Sequence, residues 1–223
     1  TAEISYTPVQ IGTDEVFVQL MGYTVPGSPF KVLVADPSKY SVSAISKPLI
    51  VMKETMITVT GGDYQALKAS AKSQNHMQEL PVLPLNKETS NIKCTPTEVG
   101  QHTIFVTCGD EHIQGSPLNL SASDPSKCIL MDTLPKHLQL GTTALIKIGT
   151  KGAGPGEIEC TSSNTSVATA TVTKSDQDYY MLKLMAISIG ETSLHLTWAG
   201  EEMLPYPLTV NVCNAFQCSA YGR

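Results

Sequence analysis

The amino-acid sequence predicts an all-β chain of tandem antiparallel β-sandwiches, and three observations carry this prediction. In this chain of 223 residues, glycine corners recur at Gly12, Gly100 and Gly190, with spacings of 88 and then 90 residues. Apolar residues alternate with polar ones after each corner, as one buried face of a strand requires. Turn-forming residues separate these runs. The repeating unit of about 90 residues is the size of one sandwich domain.

Two further landmarks keep the same order in every copy. The first copy has Gly27-Ser28-Pro29-Phe30 and then Asp36-Pro37-Ser38-Lys39, and the second has Gly115-Ser116-Pro117-Leu118 and then Asp124-Pro125-Ser126-Lys127. The third copy is weaker, with Pro205-Tyr206-Pro207-Leu208 and then Asn214-Ala215-Phe216-Gln217. The equivalent alternating runs are Val16/Val18/Leu20, Ile104/Val106/Cys108 and Leu194/Leu196/Trp198. We expect Val106, Ile104, Leu194, Leu196 and Trp198 to be buried.

The repeat predicts the domain boundaries. Residues 1–36 are the C-terminal strands of an incomplete copy, 37–124 and 125–214 are complete copies, and 215–223 begin another. In the incomplete copy we expect strands at 1–6, 15–21 and 29–35, whose apolar faces need a partner. That partner is a missing half upstream of Thr1, another chain or the next repeat. The short linker at 124–127 contains a proline, so we expect a restricted angle between the complete copies.

Each complete copy is predicted to have seven strands, A to G. They lie at 40–45, 54–60, 64–71, 80–85, 90–94, 102–108 and 118–122, and then at 128–134, 143–149, 157–162, 167–174, 178–185, 192–198 and 208–213. Residues 65–72 contain helix formers, so a short helix is the alternative to strand C of the second copy. Seven short strands with regular turns predict an antiparallel immunoglobulin-like sandwich.

Composition narrows the function. The net charge is −5 and the 15 Lys and Arg residues are scattered, which disfavours binding to nucleic acid or anionic membranes. No apolar run has membrane-spanning length, so we expect no membrane insertion by this segment.

Six cysteines raise the question of disulfides. If strands fold back symmetrically around Gly100, Cys94 lies opposite Val106 and is offset from Cys108. A slip of two residues at ~3.3 Å each, across a strand spacing of ~4.8 Å, gives roughly 8 Å between Cα atoms, beyond the ~7 Å limit of a disulfide. Both are therefore expected to be small buried apolar residues.

The remaining cysteines, Cys128, Cys160, Cys213 and Cys218, form no CxxC pair and have no histidine at ligand spacing. This favours a reducing compartment. Two N-glycosylation sequons, Asn119-Leu120-Ser121 and Asn164-Thr165-Ser166, are the opposing observation.

The sequence does not predict an enzyme. None of the five histidines pairs with a serine or cysteine in a nucleophile motif. The glycine-rich stretch 150–156 lacks the GK[ST] ending of a phosphate-binding loop and precedes a strand, so it is interpreted as a turn. The Asp176-Gln177-Asp178 stretch lacks the glycine and distal glutamate of a calcium loop and is interpreted as a solvated hairpin. We therefore expect no catalytic, cofactor or metal site.

The motifs resemble those of filamin-type immunoglobulin repeats. The residues that carry the resemblance are Tyr6-Thr7-Pro8-Val9-Gln10 with Gly12, Gly27-Ser28-Pro29-Phe30, Cys94-Thr95-Pro96 with Gly100, Gly115-Ser116-Pro117, and Thr150-Lys151-Gly152-Ala153-Gly154-Pro155-Gly156. The second copy lacks the glycine-rich loop between strands B and C, and the third replaces Gly-Ser-Pro-Phe.

The resemblance implies a non-enzymatic scaffold: a cytoplasmic rod that gathers receptor tails and signalling proteins and reaches actin through regions outside this chain. An extracellular alternative also stands, because filamin-like repeats resemble segments of a gamete-surface family that acts in cell attachment. The cysteines favour the cytoplasmic scaffold, and the sequons favour the extracellular role.

The resemblance also implies a binding site, since partner peptides of filamins add as an extra strand beside strand C, over the groove between C and D. In the second copy, Leu67, Ala69 and Ala71 facing inward leave Ala66, Lys68 and Ser70 outside, with Val82 from strand D. In the third copy the outer residues are Glu159 and Thr161, whose negative charge disfavours an apolar peptide. We therefore expect the second copy to be the better acceptor. A merely solvated edge is the alternative in both copies.

Overall fold

A computed structural model describes residues 3–74, 76–204 and 207–214. The described segment before residue 37 contains short strands: β1 (Gly12–Val16), β2 (Gln19–Leu20), β3 (Tyr23–Thr24) and β4 (Phe30–Val34). β1 pairs antiparallel with β4, and β2 with β3. Residues 3–6 are not the strand that the sequence predicts, and β1 ends before the predicted limit at Met21. Met21 has a φ of 51°, which makes it part of a tight turn.

The first complete repeat comes next, with an element order that alternates between two sheets. Its elements, with η for a 3-10 turn, are η1 (Pro37–Lys39), β5 (Ser41–Val42), β6 (Leu49–Ile50), β7 (Thr55–Thr60), η2 (Tyr64–Ala66), β8 (Leu67–Lys72), β9 (Met77–Leu80), β10 (Val82–Pro84), β11 (Thr89–Cys94), β12 (Gly100–Cys108), β13 (Glu111–His112) and β14 (Leu118–Ser123). One sheet has the order β10-β11-β7-β5 and the other β6-β14-β12-β8-β9, with β13 paired to β12.

The last repeat has the same plan. Its elements are η3 (Pro125–Lys127), β15 (Ile129–Leu130), β16 (His137–Gln139), β17 (Thr143–Gly149), β18 (Ile158–Ser162), β19 (Ala168–Asp176), β20 (Tyr179–Ala186), β21 (Gly190–Trp198), β22 (Glu201–Glu202) and β23 (Leu208–Cys213). One sheet has the order β15-β17-β20-β19 and the other β16-β23-β21-β18, with β22 paired to β21. Each repeat has two sheets, antiparallel except for the parallel pairs β6–β14 and β16–β23, and this confirms the predicted immunoglobulin-like sandwich.

Alternating side chains build both cores. Ile104 and Val106 on β12 are fully buried, and so are Leu194 and Leu196 on β21, while Trp198 is 3% exposed. Trp198 meets the ring of Tyr180 edge-on, with centroids 5.9 Å apart. The predicted inward faces of strand F are therefore confirmed in both repeats.

The repeated landmarks have local structural reasons. The Ser28 and Ser116 hydroxyls of the two Gly-Ser-Pro motifs accept a hydrogen bond at 2.8 Å from the backbone N–H of Val18 and Val106, respectively. Each hydroxyl thus satisfies a backbone donor that no strand partner accepts. In the Asp-Pro-Ser-Lys motifs, the Asp carboxylate accepts from the backbone N–H two residues later, at 2.9 Å in η1 and 3.0 Å in η3. All three corner glycines have positive φ, which favours glycine there.

Several predicted strands are divided differently in the structure. Predicted strand C of the first complete repeat is the strand β8 from Leu67 onward, after the η2 turn, so the alternative of a helix is wrong for residues 67–72. Predicted strand D, at 80–85, is β10, and β9 is a further strand that ends before Pro81, which has no N–H for a ladder. Predicted strand A of the last repeat, at 128–134, is only β15, and β16 follows outside those bounds in the other sheet.

The chain forms two compact units that do not correspond to a single cut in the sequence. The first comprises the described residues up to Ser46 together with 54–95 and 101–120. The second comprises 47–53, 96–100 and the described residues from Ser121 onward. The repeat boundaries at 36/37 and 124/125 stay predictions from the sequence period, and the predicted start of a further repeat at 215–223 lies outside the described residues.

Candidate functional site: the edges of strand C

The predicted site residues of the first complete repeat lie around β8. Lys68 is exposed and Ser70 half-buried on the outer face of this strand, whereas Leu67, Ala69 and Ala71 are buried, as predicted. Ala66 is not on the strand, because it is the last residue of the η2 turn. Val82 lies on β10 and is half-buried. Lys68, Ser70 and Val82 line one cleft of about 670 Å³, with Tyr64, Leu80 and Phe105.

The outer edge of β8 is already paired. β9 lies antiparallel to it, with Ala69 opposite Leu80 and Ala71 opposite Gln78. The backbone N–H of Ser73 donates to the carbonyl of His76 at 2.8 Å and closes this ladder at its turn. The chain leaves the ladder at Pro81, and Val82 joins the opposite sheet by pairing with Ile92. The edge that sequence reasoning favoured is therefore covered by β9 from Ala69 to Lys72, and the Leu67 N–H beyond it donates to the Tyr64 carbonyl.

The last repeat has a different edge. β18 pairs with β21, and within the described chain no strand lies on its other side. Two backbone hydrogen bonds identify which residue pairs of this ladder are hydrogen-bonded. The Ala199 N–H donates to the Glu157 carbonyl at 3.3 Å, and the Ser163 N–H donates to the Ser193 carbonyl at 2.9 Å. By alternation, the N–H and C=O groups of Ile158, Cys160 and Ser162 point away from β21. β18 thus presents three residues whose backbone groups are directed at an open edge.

β19 borders this edge from the opposite sheet. It is the outermost strand there, and its Cα atoms come within 8 Å of those of β18. Ala170 and Val172 on β19 are half-buried and pack on the core, as does Cys160 on β18. The edges of β18 and β19 are therefore neighbours, and we call the boundary between them, where Cys160, Ala170 and Val172 are half-buried, the groove.

The outer face of β18 carries the predicted residues Glu159 and Thr161, which are both exposed. Beside them on β21, His195 Nδ1 lies 3.3 Å from Glu202 Oε1. Burial raises the pKa of the Cys160 thiol to about 11, so this thiol is neutral near pH 7 and is not an activated nucleophile.

The glycine-rich stretch is a turn, as predicted. Its backbone carbonyls accept hydrogen bonds: Ala153 from the Asp124 N–H at 2.8 Å and from Trp198 Nε1 at 3.3 Å, and Pro155 from the Ser123 hydroxyl. Ala153 is fully buried. A loop that offers carbonyls in this way does not form a phosphate cradle.

Other candidate chemistry is limited. Within residues 3–74, 76–204 and 207–214, no group of three or more His, Cys, Asp or Glu side chains could hold a metal ion. The same residues include no helix with the length and apolar character of a membrane span.

The cysteines divide into two kinds. Four cysteines are free: Cys94, Cys108, Cys128 and Cys160. The absence of a Cys94–Cys108 disulfide was expected, but the reason given was wrong, because β11 and β12 belong to different sheets and do not fold back on each other. Cys213 is disulfide-bonded.

Comparison with known proteins identifies the repeat. Residues 34–119 match the family model described as the Filamin/ABP280 repeat. These residues are a filamin-type repeat. Filamin-C of Rattus norvegicus is 30% identical over 169 residues, which cover 71% of this chain and 6% of that protein. Filamin-A of Drosophila melanogaster is 25% identical over 173 residues, covering 72% of this chain and 8% of that protein. The chain thus spans less than a tenth of the length of these relatives.

One solved structure is similar over a single domain. The filamin domain of Lin-41 is 19% identical, with a TM-score of 0.36, and covers 39% of this chain and 94% of its own.

Sequence reasoning missed three parts of the site. It did not recognise Met77–Leu80 as a strand of its own, although Pro81 marks the break. It missed Tyr64 and Phe105, which line the cleft in the filamin-type repeat. It also overlooked Ala170 and Val172, although the alternation of Thr169 to Val172 indicates a strand with one apolar face.

Proposed function

We propose that this chain is a segment of a non-enzymatic, filamin-like scaffold that binds extended segments of partner proteins by strand addition in the last repeat. The observation that carries the proposal is the open edge of β18, with the backbone groups of Ile158, Cys160 and Ser162 directed away from β21. Such groups form main-chain hydrogen bonds with an added strand, and the neighbouring groove selects its side chains. Organisation of the actin cytoskeleton is proposed for the larger protein, through regions outside this chain.

We propose the last repeat as the binding site because, in the first complete repeat, β9 already pairs with the edge of β8. In the first complete repeat, β9 uses the donors and acceptors of Ala69 and Ala71 that an added strand needs. Lys68, Ser70 and Val82 stay candidates for contacts in the cleft, with Ala66 beside it. Glu159 and Thr161 are the proposed contact residues on β18.

The test is a synthetic extended peptide titrated into the isotope-labelled chain, with hydrogen exchange of individual amides as the measurement. We expect slower exchange of the Cys160 and Ser162 amides on binding, because their N–H groups become donors in the new ladder. A peptide N-methylated at alternate residues is the matched control and is expected not to bind.

Two variants test the same edge from the protein side. Cys160→Pro removes an outward N–H and is expected to abolish binding, whereas Cys160→Ala keeps that N–H and should bind like the parent chain. Equal binding by both variants, with native circular dichroism, would contradict strand addition at β18.

The second candidate function is cell attachment outside the cell, and specific observations favour it. Cys213 is disulfide-bonded, and Asn119 and Asn164 of the two sequons are exposed. Thiol titration of the denatured chain, isolated from its natural source without reductant, separates the candidates. Six free thiols support the cytoplasmic scaffold, whereas a lasting disulfide supports the extracellular role.

A further inference from the structure

The chemistry of the partner can be inferred from the two faces of β18, on the basis of the proposed strand addition. Side chains of an added strand alternate between the groove side and the outer face, in register with those of β18. The groove side meets Cys160, Ala170 and Val172, which are all half-buried. These small apolar walls suit apolar side chains of modest size at every second residue of the partner.

The outer face of β18 is acidic, and Lys53, which reaches this sheet from an earlier part of the chain, is paired with Glu201 of β22. Glu159, the second residue of β18, is exposed, and it makes no hydrogen bond or ion pair within the described part of the chain. Glu157, one step earlier on the same face, is exposed too. No lysine or arginine occurs in residues 157–163 or 190–202, the stretches that form β18, β21 and β22. The cation bordering the groove, Lys174 on β19, lies over the ring of Tyr180, 5.8 Å from its centroid.

The charge on β18 is opposite to that on the equivalent strand of the first complete repeat. There the outer face of β8 carries Lys68 and Lys72, both exposed. The two repeats therefore present outer faces of opposite sign at equivalent positions, and only the acidic one borders an open edge.

We propose that β18 accepts an extended protein segment in which apolar residues alternate with lysine or arginine, the basic side chains lying on the outer face beside Glu159. Directly opposite residues in a ladder lie close enough for their charges to interact, with opposite charges favoured and like charges disfavoured. The apolar residues of the partner are buried in the groove, and its basic residues determine the specificity of binding.

The test uses three synthetic peptides that share their apolar residues and carry lysine, serine or glutamate at the alternate positions. Affinity is measured by calorimetry at low salt for the parent chain and for Glu159→Lys. Exposed ion pairs contribute modestly, so we expect the parent to bind the lysine peptide about three- to tenfold more tightly than the glutamate peptide. Glu159→Lys is expected to reverse that order, and added salt to reduce it.

Glu191→Lys is the matched control, because Glu191 is also exposed on β21 but lies at the end of the sheet near β23. It changes net charge equally and is expected to keep the parent's order. If the peptides bind but Glu159→Lys leaves their order unchanged, the partner chemistry is overturned and strand addition stands. If no peptide binds the folded parent chain, both proposals are overturned.

Discussion

At the scale of single residues, the chain shows how one hydroxyl or one glycine maintains a repeated geometry. Ser116 accepts a hydrogen bond from the Val106 N–H at 2.8 Å, and Ser28 does the same for Val18. The matching bonds in two copies explain why serine stands between glycine and proline in both motifs. A methyl group in place of either hydroxyl leaves a strand N–H without its acceptor.

The burial of Val106 leads to the first prediction. Val106→Ala should lower the free energy of unfolding by about 1 to 3 kcal/mol, because apolar contact is lost and a cavity remains. The control is Thr107→Ala on the next, outward-facing position of β12, which should cost much less. Urea unfolding measures both. Equal costs would show that the inward face of β12 is assigned wrongly.

The second prediction concerns Gly154 in the glycine-rich turn of the second unit. Its φ is +80°, and a Cβ there would lie 2.6 Å from Val99 Cγ1 and 2.7 Å from the Ala122 carbonyl oxygen. Gly152 has the same φ but open space around it, so Gly152→Ala reports backbone strain alone. We expect both variants to be destabilised by about 1 kcal/mol or more, and Gly154→Ala to lose a further ~1 to 3 kcal/mol by steric conflict. Thermal unfolding of the two variants measures the difference. A Gly154→Ala variant as stable as Gly152→Ala would mean that Val99 and Ala122 move away at little cost.

At the scale of elements, the repeats differ in the segment that comes directly after strand C. In the first complete repeat the chain turns back after β8 and supplies β9, whereas in the last repeat it crosses directly from β18 to β19 in the other sheet. The same strand is therefore internal in one sandwich and an edge in the other. Edge strands present unpaired backbone groups, which is the physical basis of the proposed binding.

The third prediction tests this difference without a ligand. In the free chain, the Ala69 and Ala71 amides should exchange at least about tenfold more slowly than those of Cys160 and Ser162, because β9 pairs with the first two and nothing described pairs with the others. Amide exchange measured by NMR gives the four rates. Similar protection at all four positions would show that something else covers β18.

At the scale of the whole molecule, buried thiols link stability to pH. Burial, with a smaller effect of the Asp124 carboxylate, raises the pKa of the Cys128 thiol to about 12, and burial raises that of Cys160 to about 11. Both values exceed the ordinary 9.0. Above pH 9 the unfolded chain therefore loses protons that the folded chain retains, and the stability that neutral thiols provide falls as pH rises toward 11 and 12.

The fourth prediction concerns these two thiols. Between pH 9 and 11 each thiol should lower the free energy of unfolding by at most about 1.4 kcal/mol per pH unit. Urea unfolding at several pH values is the measurement. The Cys128→Ala/Cys160→Ala variant is the comparison, since it keeps the other titrating groups. An equally steep decline in this variant would assign the effect to those groups, among them Tyr40 and Tyr180, whose pKa values are also raised by burial.

The segment before residue 37 leaves apolar side chains exposed. Its strands β1 and β4 pair, yet Val16 and Val18 are only half-buried and Leu20 is 67% exposed. The equivalent residues of β12, Ile104, Val106 and Cys108, are buried. That this apolar face has a partner therefore stays a prediction from the repeat pattern.

The sequence by itself determined the repeat, the sandwich class and the inward faces of the central strands. Its signals for these are local or periodic: the regular spacing of Gly12, Gly100 and Gly190, the Gly-Ser-Pro motifs, and the alternation along strand F. Only the tertiary structure decided which strand C has an open edge. That depends on whether residues 77–80 pair with β8, and the alternation within β8 is the same whether or not they do. The tertiary structure also decided the disulfide of Cys213 and the position of β19 next to β18. Neither feature requires a fixed spacing of residues along the chain, so the sequence alone does not predict it.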